Sequence, residues 1–259
     1  MKKILVFSLC YGLLIVSCFA QETIKQRFTP PSGYKRQEMQ SNTFGQYLQD
    51  FALAPEGTPV KYYDGSISSL NEQAAAVLDI SVGKRDLQQC ADAIMRLHSE
   101  FLWQQQKQND VSFNAWSGQK MDWPRYTQGY RYGEKGYKRT GQAKSSYQDF
   151  QKYLEMVFTY ASTVTLEKEL LPIRDWKQLQ VGDVLIKGGT PGHAFLVVDV
   201  AKNSQNKVIF MIAQSFMPAQ NIHIIKHSGG VWFEAGKDYA NEIAFGNLLQ
   251  SKYHRRFVE

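Results

Sequence analysis

Three cysteines occur in the 259 residues, and Cys10 and Cys18 fall within the first twenty. Cys90 is the thiol left in the body of the chain, in Arg85-Asp86-Leu87-Gln88-Gln89-Cys90-Ala91. A cysteine with no disulfide partner is a buried small hydrophobe, an intermolecular link or a reactive group. About a hundred residues on, Pro191-Gly192-His193-Ala194 opens an apolar run. A thiol nucleophile needs a base within reach and a third group that holds the base. The thiolate is the strong nucleophile, and the partial positive charge of a helix N-terminus lowers a thiol's pKa. Cys90, His193 and a polar partner for His193 are therefore the residues from which chemistry can be built.

The elements around them decide how they are held. Asp86 reads as a helix N-cap with Gln89 three residues on, as in a capping box. Leu87, Cys90/Ala91, Ile94, Leu97/His98 and Phe101 recur at helical spacing, so a helix is expected to about Lys107. Cys90 then lies near the first turn, with Lys84 and Arg85 close by, yet it also belongs to the apolar stripe. Free cysteine is among the most buried residue types, so the stripe is equally compatible with a core role. Gly192 permits close backbone approach, and His193 opens a strand edge from which it can project into a cleft. Ala194–Val200 and Val208–Ala213 read as strands joined by the polar segment 202–207, a hairpin. A turn centred near Ser204 sets His193 opposite Gln214 or Ser215, and Gln214 can hold the imidazole tautomer. Asp199 shares the strand with His193, but six residues of strand span about 20 Å, beyond hydrogen-bond reach.

Other groupings carry weaker chemistry. His223 and His227 form H-x-x-x-H without the glutamate and helix of a zinc protease. Glu155, Glu167 and Glu169 are carboxylates whose spacing along the chain says nothing of their separation in space. Trp116, Trp123, Tyr126 and Tyr130 lie in an aromatic, glycine-dotted stretch that could stack on sugars or line a peptide groove, or pin a long loop onto the core. No phosphate loop or dinucleotide fingerprint occurs, and the chemistry sketched here calls for neither cofactor nor metal.

The net charge of +6 is spread without a concentrated basic run, which argues against nucleic acid as a partner. Lys2 and Lys3 followed by apolar Ile4–Val16 read as an export signal covering residues 1–20, too short to span a bilayer comfortably. Cys18-Phe19-Ala20 suits an ordinary cleavage site, whereas Ile15-Val16-Ser17-Cys18 also fits a lipobox in which Cys18 carries a lipid anchor. Either reading places the body in the periplasm or cell envelope. Residues 21–40, with Pro30, Pro31 and Gly33, read as an N-terminal arm or tether. Residues 41–259 read as one α+β domain, helix-rich first and antiparallel sheet second, with the aromatic insertion at about 108–145.

The segments Val82-Gly83-Lys84-Arg85-Asp86-Leu87-Gln88-Gln89-Cys90-Ala91-Asp92-Ala93, Gly182-Asp183-Val184, Pro191-Gly192-His193-Ala194 and Ala213-Gln214-Ser215-Phe216-Met217-Pro218-Ala219-Gln220 resemble an exported bacterial family of uncharacterised function, the domain-of-unknown-function 4846 family. Gly182-Asp183-Val184 followed by Gly192-His193-Ala194 and an apolar strand also looks like the second half of NlpC-type and CHAP-type amidases. Those papain-like enzymes often cut cell-wall peptides. The looser resemblance implies a papain-like arrangement, with a helix carrying Cys90 packed on a C-terminal antiparallel sheet. It implies Cys90 as nucleophile, His193 as base and Gln214 as orienting residue, acting on a peptide or peptidoglycan-like substrate. Two departures stand out: Cys90 lacks an Asp-Cys or Gly-x-Cys setting, and the third position is glutamine. They keep a second expectation open, a non-catalytic envelope protein that binds glycan or peptide on a degenerate fold of the same type.

Overall fold

The computed structural model describes residues 21–258, so the signal and lipobox readings, with Cys18, lie outside the described residues. The chain runs α1 (Ile24–Arg27), β1 (Tyr34–Arg36), α2 (Phe44–Gln49) and β2 (Ala74–Val77) before the long α3 (Cys90–Gln104). Hairpin β3 (Ser112–Asn114)/β4 (Lys120–Asp122), short α4 (Trp123–Thr127) and hairpin β5 (Tyr130–Gly133)/β6 (Gly136–Arg139) follow. Next come α5 (Tyr147–Tyr160), α6 (Thr163–Glu169), β7 (Leu171–Pro172), β8 (Val184–Lys187), β9 (His193–Asn203) and β10 (Val208–Gln214). The chain closes through β11 (His223–Ile225), β12 (Phe233–Glu234) and β13 (His254–Arg256). The fold is mixed α+β around one large antiparallel sheet. Its main order is β2-β11-β10-β9-β8-β13-β7, with β1 added to β9 and β12 to β10.

The 11-residue β9 is the axis of the molecule. Its apolar run is too continuous for a strand with one wet face, and His193 to Ala201 are all buried. Helices α2 and α3 pack against it, and one apolar cluster joins residues from Ile24 to Leu249. The N-terminal arm is part of this fabric rather than a tether. Ile24 is buried, Thr23 bridges Ala52, and β1 pairs with the far end of β9, Arg36 opposite Ala201. Arg36 donates to Asp199 Oδ2 at 2.7 Å and Gln49 donates to Asp199 Oδ1 at 2.8 Å, so Asp199 holds the arm and α2.

The expected aromatic insertion is two hairpins around a one-turn helix. Trp123 and Tyr126 stack on each other and meet Tyr153 of α5, while Trp123 also meets Phe150. The Tyr153 hydroxyl donates to the Met121 carbonyl at 2.9 Å, which lets a tyrosine sit fully buried. Ser146 caps α5 by accepting from the Asp149 N–H at 3.2 Å.

Candidate functional site

Cys90 is the first residue of α3, not the fourth. The cap is Gln89, whose extended backbone precedes the helix and whose N–H donates to Asp92 Oδ2 at 3.0 Å. Asp86 lies outside the helix. Its Oδ1 accepts from the Gln89 side chain at 3.1 Å and from the Ala219 N–H at 2.7 Å, tying the helix start to the loop after β10. Ser215 makes a second tie: its hydroxyl lies 2.9 Å from the Gln88 carbonyl and 2.8 Å from the Gln220 carbonyl. Arg85 turns outward to Glu155 at 3.3 Å, with both side chains largely exposed.

The other half of the site comes from the sheet. A Cβ at Gly192 would fall 2.5 Å from the Gly189 carbonyl and 2.6 Å from Thr163 Oγ1, so only glycine fits where the chain turns into β9. His193 follows, with Nε2 at 2.7 Å from Gln214 Oε1. The structure thus brings Gln214 to His193, though by a different register from the one expected. The ladder pairs Ala213 with Leu196, and a bulge lies at Met211/Ile212, so the next rung sets Gln214 beside Phe195. Gln214 reaches His193 diagonally on the same face, which a long amide side chain can do. Cys90 meets this group where α3 packs on β9, and the Ala194 backbone lies near enough to the thiol to work against the rise of its pKa. Helix start and strand start thus bring the thiol to the residue next to His193.

The cluster extends past the three expected residues. Gln214 Nε2 lies 3.3 Å from His223 Nε2, and His223 Nδ1 lies 2.9 Å from the Asn221 carbonyl. Phe195, Phe216 and Phe245 surround the His193 ring, with Phe245 stacked at 4.7 Å between centroids. Phe245 holds the left-handed φ of 58°, uncommon for a bulky side chain. Under this cover His193 is 2% exposed, and Cys90 is 7% exposed.

Burial sets the protonation. It pushes the Cys90 thiol up to about 11, with the Asp92 carboxylate adding to the rise. Asp92 is itself raised to about 8 by burial. Burial takes His193 down to about 4, against the raising effect of Gln214, and takes His223 down to about 4. In this closed state the thiol and both imidazoles are neutral at pH 7. A thiol and a neutral imidazole can still exchange one proton during attack on a carbonyl, which is general base chemistry. Two residues before Cys90, both polar atoms of the Gln88 side-chain amide are buried without a hydrogen-bond partner among the described residues.

The aromatic residues expected to touch a ligand divide sharply. Trp116 is 68% exposed, and Tyr130 is half-buried. Trp123, 2% exposed, and Tyr126 are core, because the rings of Phe150 and Tyr153 cover them, so neither offers a face to a substrate. The H-x-x-x-H pair separates: His223 faces Gln214, whereas His227 Nε2 faces the Trp232 carbonyl at 3.1 Å. The three glutamates also part, with Glu155 on Arg85, Glu167 on Arg255 and Glu169 on the Asn114 N–H. Sequence reasoning missed His223 as the second partner of the Gln214 amide. The signal for His223 was its place on the strand after Gln214, hidden by the competing H-x-x-x-H pattern.

A protein-family model described as a domain of unknown function (4846) matches residues 24–250, and the chain belongs to that family. No curated protein and no solved structure matches the chain.

Proposed function

We propose that the protein is a cysteine hydrolase of the cell envelope, a papain-like peptidase or amidase acting on an amide of a peptide or peptidoglycan stem. The observation that carries the reading is His193, held by Gln214 at 2.7 Å at the head of β9, with α3, which begins at Cys90, packed on that strand. The helix start on the head of β9 supports a papain-like arrangement. In the first step the Cys90 sulfur attacks the carbonyl carbon. The thiol proton passes to the His193 nitrogen that Gln214 does not engage. The Cys90 backbone N–H and the Gln88 amide are the donors at hand for the oxyanion. His193 returns the proton to the leaving amine, and the same imidazole then takes a proton from the water that cleaves the thioester. Gln214 holds the ring throughout. Phe216 and Phe245 must move aside for substrate, and opening would bring the thiol and imidazole back toward their ordinary proton affinities.

The export signal read at residues 1–20 supplies the location, and the lipobox reading adds an anchor at Cys18. The test is release of product from a labelled cell-wall digest, together with labelling by a thiol-directed probe. Cys90→Ala and His193→Ala should abolish release, while the fold, followed by circular dichroism, persists. No release by the native protein, with or without Cys90, would sink the reading. The closed site and the exposed Trp116 favour a second reading, non-catalytic binding of glycan or peptide. Binding that survives Cys90→Ala and is lost in Trp116→Ala would select it.

A further inference from the structure

We infer that His223 is a positioning residue: it decides which end of the Gln214 amide faces His193, and so which nitrogen of His193 carries the proton. The inference rests on the hydrolase reading for its purpose, though not for its geometry. It starts from a group with one role. The Asn221 carbonyl can only accept, so His223 Nδ1, 2.9 Å away, carries a hydrogen. A neutral imidazole has one N–H, so His223 Nε2 is left as a lone pair. The group 3.3 Å from that lone pair must donate, which places the NH2 of Gln214 there. The amide oxygen then faces His193, and the nitrogen 2.7 Å from it must be an N–H. His193 is thereby held with its proton on Nε2 and its lone pair on Nδ1, free to receive the thiol proton.

Each link depends on the one before. An amide alone is a poor arbiter of tautomer, because it can turn over and offer either end. Reversing Gln214 would set its oxygen against the His223 lone pair in a buried site, where an unmatched polar contact is costly. His223 is fully buried and depressed to about 4 by that burial, so it stays neutral and keeps its single N–H near pH 7. The chain has a fixed end and transmits a choice of tautomer across two side chains.

The test is the two-bond hydrogen–nitrogen correlation spectrum of full-length protein carrying 15N-histidine, at neutral pH. Signals are assigned from His193→Phe and His223→Phe. The native protein should show His223 protonated on Nδ1 and His193 on Nε2. In His223→Phe the His193 pattern should become a mixture of tautomers, with kcat for the labelled digest down roughly tenfold and KM little changed. His223→Gln, which returns an acceptor, should recover part of both. A native His223 protonated on Nε2, or a His193 pattern unmoved in His223→Phe, overturns the inference even where hydrolysis is observed. The wild-type spectrum alone can overturn it if His223→Phe does not fold. The expected tautomers in a protein without Cys90-dependent hydrolysis overturn the hydrolase reading and leave the tautomer chain standing.

Discussion

Two buried histidines sit in the same sheet, each held through Nε2, and their partners differ in kind. His254 on β13 donates to Asp183 Oδ2 at 2.6 Å, and Arg256 grips the same carboxylate at 2.6 and 2.9 Å. His193 on β9 has the neutral amide of Gln214. The site with full charges has no thiol against it, and Asp183 also accepts from the Gln180 N–H at 2.9 Å. It is a clamp, fastening the C-terminal strand to the turn before β8. The site beside the thiol has dipoles alone. A carboxylate against a histidine is therefore no guide to chemistry in this fold. Here the charge serves architecture, and the proposed chemistry uses a chain of neutral groups.

The clamp should be the more fragile under mutation. Removing one partner of a buried ion pair typically costs about 3–5 kcal/mol. Asp183→Ala should lose that much in urea unfolding while leaving the rate of thiol labelling of the folded fraction unchanged. A loss below about 1 kcal/mol, the range of exposed pairs, would erase the contrast.

Gln214→Glu converts one site toward the other. A carboxylate against the imidazole should raise the His193 midpoint by about 1–3 pH units in an NMR titration. No rise, or a fall, would show that burial dominates whichever partner is present.

Acid stability follows from the buried imidazoles. His98, His193 and His223 are each lowered by burial to about 4. As pH falls below their ordinary value of 6.5, the unfolded chain takes up protons that the folded chain refuses until about 4, so stability drops through that window. Asp92 works in the opposite sense. Raised from 3.8 to about 8, it gains its proton first in the folded state, so it adds stability as pH falls through that range. Burial also raises Asp199 and Glu169, which work with Asp92, but the three imidazoles have the larger effect across this window, and Tm should decline between about pH 6 and 4.5. A Tm that climbs across that interval would mean that the imidazoles are reached by water.

The smallest effect concerns the cover. Phe245→Ala should raise the rate of thiol labelling severalfold with little loss of stability, since thiol reactivity follows exposure. An unchanged rate would place the opening elsewhere, on the Phe216 side.

Much of this was legible in the sequence for definite reasons. The strand pair 194–200 and 208–213 announced itself through continuous apolar runs around a polar turn. The pairing of His193 with Gln214 followed from hairpin geometry and tolerates the register shift because the face is preserved, whereas Cys90 was joined to them by chain order and the papain-like resemblance. The helix cap was misplaced because Asp86 satisfies a loop N–H, a long-range contact with no local signature. Trp123 and Tyr126 looked like ligand contacts because aromatic composition does not report which rings face inward. The sequence left 21–40 open between an arm and a tether because its strand is three residues long and its partner lies about 165 residues away.

The Ser215 hydroxyl bears on how the site moves. It adjoins Gln214 in sequence and hydrogen-bonds to the backbone just before Cys90, while Asp86 repeats the link at Ala219. The segment bearing the sulfur and the strand that orients the imidazole are thereby riveted into one rigid body. Slow breathing that parted the two would have to break both rivets together, so their amide hydrogens should exchange in step. In the proposed enzyme, admission of substrate would then fall to the aromatic side, at Phe216 and Phe245, with the segments of Cys90 and Gln214 held together.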